Sequence, residues 1–372
     1  MSRYADTYAP QNPGESLPLP VVDYRRAGCA APRLVPVGYT GPQAHLPEAD
    51  VVILTWTSAE WSALDQVLCN PEYPRAAYAR DWQRSWHLFS AGAPAADPTE
   101  KTGPLWGWYQ LVDIPGPSGS TVRALLFKAD THLAHPPWFG GLTTMLEQVV
   151  KESRASMIYS IGTAGGGHPS QQLGEVVITN SATIQLKNPK NANAGIDGQT
   201  FTCGGKFPQT DLMDTAVKQL MLPMSTVVTY PRLEQLVTAL QQKVPTAAGL
   251  TLKDLMTPAV DPIQLHQPKV SPMAGQALLT TDYYYIADGD SPYSVLEMDD
   301  AVIAYVAGQL GVDYAFFRNV SDPVVPTTGS TGQTLDTETR SGWSSLIYTD
   351  FGLYTSHNGA IATWATLAAR AG

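Results

Sequence analysis

Apolar positions in this chain come in short blocks separated by polar or glycine-rich breaks. "ADVVILTW" (49–56) is a compact apolar run of the kind that forms a strand buried on both faces. "TSAEWSALDQVL" follows with helical spacing, Ala59, Ala63 and Leu64 falling on one side and Trp61 and Leu68 nearby. The same reading predicts strands at "VRALLFKA", "SMIYSIG", "EVVIT", "QALLTTDYYY" and "DYAFFRNVS". It predicts helices at "GLTTMLEQVVKES", "DAVIAYVAGQLG" and "GAIATWATLAARA". In and just before the second of these, Met298, Ala301, Val302, Tyr305 and Val306 recur at helical steps, and Gly311 supplies a stop before the next strand. Interleaved strands and helices imply an α/β layer fold.

Two stretches break the rhythm. Residues 1–48 hold eight prolines and read as an extended N-terminal arm, leaving 49–372 as the body. Within the body, residues 185–275 contain "KNPKNANAGIDGQ", helical patterns at "TDLMDTAVKQLM" and "PRLEQLVTALQQKV", and a proline-scattered return. They are expected to form an insertion covering one end of the sheet.

Composition narrows the function. With 33 acids against 23 Lys and Arg in 372 residues, the net charge of −10 argues against a nucleic-acid backbone binder, which needs a basic face. Cys29, Cys69 and Cys203 are odd in number and lack metal-ligand spacing, as expected of reduced thiols. The start lacks the pattern of a secretory signal, and no uninterrupted apolar stretch reaches the roughly 18 residues that span a bilayer. A soluble cytoplasmic protein, without membrane association, is the expectation.

Chemistry concentrates in three places. "YSIGTAGGGHP" leads a strand into Gly162, Thr163, Ala164, Gly165, Gly166 and Gly167, where backbone N–H groups can face an anion or a sugar, or simply make a tight turn. It lacks a P-loop lysine and the dinucleotide glycine order. "FFRNVSDP" places Asp322 at the carboxyl end of a buried strand, where desolvation would raise its pKa and suit a general acid; the alternative is an Asp-Pro turn. Arg318 is too far along that strand to pair with Asp322, about 13 Å in extended chain. In "TSAE", Thr57 and Glu60 have the form of a capping box, unless Glu60 turns toward the strand ends and serves water.

Taken in order, "VVILTWTSAEWSAL", "YSIGTAGGGHPSQQLGEVVIT", "LLTTDYYY" and "VLEMDDAVIAYVAGQLGVDYAFFRNVSD" resemble the nucleoside phosphorylase superfamily, which holds purine nucleoside phosphorylases and methylthioadenosine/S-adenosylhomocysteine nucleosidases. The resemblance covers most of 50–182 loosely and 276–322 well. It implies a mixed, barrel-like central sheet flanked by helices, with the site at one end. It assigns Asp322 as proton donor to the leaving purine and Glu60 as the water-binding acid of the nucleosidase branch. Met298 and Asp299 would line the ribose, Asp299 binding its hydroxyls where the family usually has the longer Glu. Glu297 and Asp300 would then serve the helix start and solvent. Thr163, with Gly165 in the same turn, would face the nucleophile.

Phosphorylases of this kind hold phosphate with arginines, and one family arginine falls where this chain has Ser160. A neutral residue there, and an acid at Glu60, favour hydrolysis by water over phosphorolysis with phosphate as co-substrate. Arg25, Arg26, Arg75, Arg80 and Arg84 are the remaining candidates for a phosphate ligand. Tyr283, Tyr284, Tyr285, Trp138 and Phe139 are candidate stacking or sugar-wall residues. His132, His135 and His168 show no metal-ligand pattern, so no metal and no other cofactor is expected. The expected partner is a small purine nucleoside, in a homo-oligomer. The other readings are a phosphorylase and a nucleoside-binding or sensing module without turnover. No G-x-S-x-G elbow supports a serine hydrolase.

Overall fold

The computed structural model describes residues 17–71, 85–94, 105–205, 207 and 212–371. The first half runs β1 (Arg33–Leu34), β2 (Val51–Thr55), α1 (Ser58–Leu68), β3 (His87–Phe89), β4 (Gly107–Pro115), β5 (Thr121–Ala129), α2 (Trp138–Ser153) and β6 (Met157–Gly166). Next come β7 (Val176–Thr179), β8 (Ser181–Gln185), β9 (Thr200–Thr202), α3 (Met213–Gln219), α4 (Tyr230–Lys243) and α5 (Leu252–Leu255). The chain finishes with β10 (Val270–Pro272), β11 (Leu278–Thr281), β12 (Val295–Glu297), α6 (Asp300–Leu310), β13 (Asp313–Asp322) and α7 (Thr337–Arg370).

One mixed sheet carries the fold. Its main path is β1-β4-β5-β2-β6-β12-β11-β8-β9. β2 lies between β5 and β6 and is parallel to both, so neither face meets water and all five residues are buried, as the unbroken "VVIL" requires. A second branch leaves β6 through β13 to β7 and β10. β7 and β8 are consecutive, with Asn180 between them, so the two branches curl toward each other. The curl is barrel-like, but the sheet stays open, its path ending at β1 and β9.

Helices cover both faces. On one side α2 and α6 pack through Leu142, Met145, Val302 and Val306. On the other, α1 is buried along its whole length, not on one stripe, because Trp61, Leu64 and Leu68 share a core with Ile361, Trp364 and Leu367 of α7. The 34 residues of α7 extend far ahead of the predicted helix at 359–371, about 50 Å in all. Its early residues Trp343, Leu346, Ile347 and Phe351 pack on Leu233, Leu236, Val237 and Leu240 of α4.

Residues 185–275 therefore divide. β9 and β10 extend the sheet on β8 and β7, while α4 lies on α7. Asp254 accepts hydrogen bonds from Thr251, Ser330 and Gln333, tying this region to the segment that follows β13. The described part of the arm lies on the body, with β1 antiparallel to β4. Among the described residues, no helix is long and apolar enough to cross a membrane.

Candidate active site

A cavity of about 340 Å³ opens at the carboxyl ends of β2, β6, β11, β12 and β13, where open α/β sheets hold their ligands. Glu60, Thr163, Gly165, Tyr283, Met298, Asp299 and Asp322 all line it. Ser160 does not. It is fully buried behind the lining, and its Oγ accepts a hydrogen bond of 2.7 Å from Nη2 of Arg318.

Glu60 caps α1 and also turns toward the strand ends. Its Oε2 accepts from the backbone N–H of Thr57 at 2.9 Å and of Trp56 at 3.0 Å, completing the capping box that starts α1. Its Oε1 crosses to β6 and accepts from both N–H and Oγ1 of Thr163, each at 2.8 Å. Burial alone would raise this carboxyl, but the Arg318 guanidinium and the backbone N–H groups of Thr163, Thr57 and Trp56 bring it below the ordinary glutamate value. Glu60 is therefore an ionised carboxylate at the cavity wall.

The glycine run is strand, not turn: β6 continues through Gly166. Gly162 is required by close approach. A Cβ there would stand 2.3 Å from Arg318 Nη1 and 2.9 Å from Glu60 Oε1, so bare backbone lets a cation and an anion meet above the strand. Gly162→Ala should displace the guanidinium and lower the midpoint of urea unfolding. Gly140→Ala, in α2 where nothing lies within 4 Å, should not lower it and should raise it slightly, since Ala is the better helix former.

Arg318 organises the acids. It sits in register with Gly162, four residues before Asp322 on β13, and its partners come from elsewhere in the chain. Nε donates to Asp300 Oδ2 at 2.7 Å, Nη2 bonds the other Asp300 oxygen, and Glu297 Oε2 lies 3.4 Å from Nη2. Asp300 is fully buried, so it neutralises Arg318 instead of facing solvent. Glu297 does serve the helix start, accepting from the N–H groups of Asp299 at 2.6 Å and Asp300 at 3.0 Å, but it too is buried. Burial first, and the Asp300 carboxylate second, push Glu297 up to about 8.

Asp299 meets the loop after β5. Oδ1 accepts from Leu133 N–H at 3.0 Å and Oδ2 lies 3.1 Å from His132 Nε2. Because His132 Nδ1 accepts from Ala134 N–H at 3.0 Å, the ring proton is on Nε2 and points at Asp299. Burial holds His132 down at about 4, so the ring is neutral. Asp299 and His132 thus stand side by side in the cavity wall.

Burial pushes Asp299 up to about 8, above an unfolded value near 3.8. The folded chain keeps this proton where the unfolded chain has lost it. The stability linked to it is complete at low pH and declines as pH rises from about 4 to about 8. Glu60 acts in the opposite sense, its stability being lost as pH falls through its lowered folded value. The melting temperature of Asp299→Asn should consequently fall less between about pH 5 and pH 8 than that of the parent protein.

Asp322 stands across from Gly165, after a bulge in β13 that brings Ser321 and Asp322 both to the cavity. Ser321 donates to Oδ1 at 2.6 Å and Ser344, from α7, to Oδ2 at 3.0 Å. Burial raises its pKa to about 6, against the hydroxyls of Ser321, Ser344 and Tyr284, which hold it down. The desolvated acid anticipated at this strand end is present.

Tyr283, Tyr284 and Tyr285 line the cavity, Lys187 Nζ lying 3.9 Å above the Tyr283 ring. Trp138 and Phe139 begin α2 outside the lining. Arg25 and Arg26 are exposed beside Asp23 on the surface, and Arg75, Arg80 and Arg84 lie outside the described residues. Sequence reasoning missed Arg318 and His132 as site residues, and Ser344 altogether. For Arg318 a signal existed: an arginine inside an apolar strand needs buried acids, and three stand in "LEMDD".

No family model matches the sequence, and no curated protein matches it. Among solved structures, the chain is similar to the 5′-methylthioadenosine/S-adenosylhomocysteine nucleosidase of Neisseria meningitidis, solved with methylthio-immucillin-A, at 13% identity and a TM-score of 0.44, over 86% of this chain and 98% of that one. It is similar to the S-adenosylhomocysteine nucleosidase of Streptococcus pyogenes, solved with 5-methylthiotubericidin, at 12% identity and 0.42, over 87% and 98%. The Helicobacter pylori nucleosidase, solved with butyl-thio-DADMe-immucillin-A, matches at 9% and 0.43, over 86% and 97%.

Proposed function

We propose that the protein hydrolyses the N-glycosidic bond of a purine nucleoside, with water as nucleophile and no cofactor. Asp322, a buried acid poised near pH 6, gives its proton to the leaving base. As the bond stretches, positive charge grows on the sugar, and the ionised Glu60 balances it and orients the water. A carboxylate of lowered pKa is a weak base, so its role is orientation and charge first. It accepts the water's proton only as the new C–O bond forms, and passes it to solvent.

The observation that carries hydrolysis is the commitment of Arg318. It is the only arginine among the described residues of the lining, and its Nε and Nη2 are already bound to Asp300 and Ser160. A phosphate dianion would meet Glu60 with no free bidentate guanidinium to compensate it.

The test is base release from adenosine, inosine and methylthioadenosine, with and without phosphate, scoring free sugar and sugar 1-phosphate separately. Free sugar with no phosphate requirement is the expected result. Release only with phosphate overturns it in favour of a phosphorylase. Binding without release makes the protein a nucleoside-binding module.

A further inference from the structure

Asp322 is held from a part of the chain outside the motifs that suggest its role. Ser344 belongs to α7, and its one proton goes to Asp322 Oδ2. When Asp322 is ionised, the Tyr284 hydroxyl, 2.7 Å from Ser344 Oγ, can donate in that contact. Once Asp322 has lost its proton, the bonds can run in one direction: Tyr284 O–H to Ser344, Ser344 O–H to Asp322. Tyr284 is 53% exposed as a residue, yet its hydroxyl turns inward to this chain. One turn earlier on α7, the buried Arg340 bonds Asp288 and donates to the carbonyls of Ala287 at 2.6 Å and Val325 at 3.4 Å. The helix thus grips the loop that carries Tyr284 at two successive turns.

We propose that Ser344 and Tyr284 are positioning residues for Asp322, stabilising the carboxylate that forms as its proton passes to the leaving base. This rests on Asp322 being the acid. A carboxyl buried beside apolar Leu296 and Val324, with no donors, would hold its proton too tightly to release it. Each hydroxyl bond strengthens as charge develops on the acceptor, so its effect is larger in the transition state than before it. Ser321 supplies one such bond from β13 itself, and α7 supplies the other.

Ser344→Ala and Tyr284→Phe are compared with the parent in kcat and in the pH dependence of kcat/KM for base release. In Ser344→Ala, kcat below the alkaline limb should fall about tenfold, and the limb should move up by about one pH unit, the size of one hydrogen bond to a charged acceptor. Tyr284→Phe, a loop variant that leaves the helix untouched, should move the limb in the same direction by less. Loss of activity at every pH with the limb unmoved, in both variants, would overturn the inference and leave Ser344 a packing residue. Asp322→Asn separates this from the function itself: if that variant keeps full activity, the acid is misassigned whatever Ser344→Ala shows.

Discussion

Asp322→Asn should reduce base release by about 100- to 10,000-fold, with nucleoside binding changed little. Asn keeps the shape and can still pair with the Ser321 and Ser344 hydroxyls, but it has no proton of suitable acidity to give. The loss should therefore fall on kcat. In the parent protein, kcat/KM should decline as pH rises past about 6, where the free enzyme's Asp322 loses its proton. The acid-side limb should lie below the ordinary glutamate value, since Glu60 stays ionised to lower pH. Steady-state kinetics over pH 4 to 9 measure the alkaline limb and should show no acid-side limb above about pH 4.5. A flat profile, or an Asn variant within tenfold of the parent, would remove Asp322 from the chemistry.

The second large effect is on folding. Arg318→Ala leaves Asp300 buried without its bidentate partner and removes the compensation from Glu297 and Glu60. Breaking one side of a buried pair costs about 3–5 kcal/mol, because the surviving charge has no water to turn to. Urea unfolding of Arg318→Ala should show a loss of that size, while Arg318→Met combined with Asp300→Leu should recover most of it, though not the activity. Full stability in the single variant would mean that the acids are already protonated without the arginine.

The two kinds of residue involved in these predictions were unequally visible in the sequence. Asp322 and Glu60 sit at a strand end and a helix start, where apolar runs and cap spacing fix their position but leave a turn and a cap open; the resemblance to nucleoside phosphorylases is what singles them out, with Met298 and Asp299, as site residues. Arg318 acts through Asp300 and Ser160, 18 and 158 residues away in the chain, so its role appears only when β13 lies in register with β6. The same holds for α7. Its first part, "TETRSGWSSLIYTDFGLYTSHN", is rich in Ser, Thr and Gly, poor helix formers, and is held helical by burial against α1 and α4 rather than by propensity. The glycine run misled in a specific way: glycine permits turns, but it also permits neighbours to come close, and here the second use decided the backbone.

Glu60 carries a consequence for anyone who would alter this protein. A helix cap is judged by stability and a catalytic carboxylate by rate, and under the proposed mechanism one side chain answers to both, with Oε2 on the cap and Oε1 toward the cavity. A library selected for activity will keep Glu60 even where the chemistry no longer needs it, and one selected for thermal tolerance will keep it even where the fold no longer uses the pocket. Freeing the residue for new chemistry therefore begins at Thr57, by giving α1 another start.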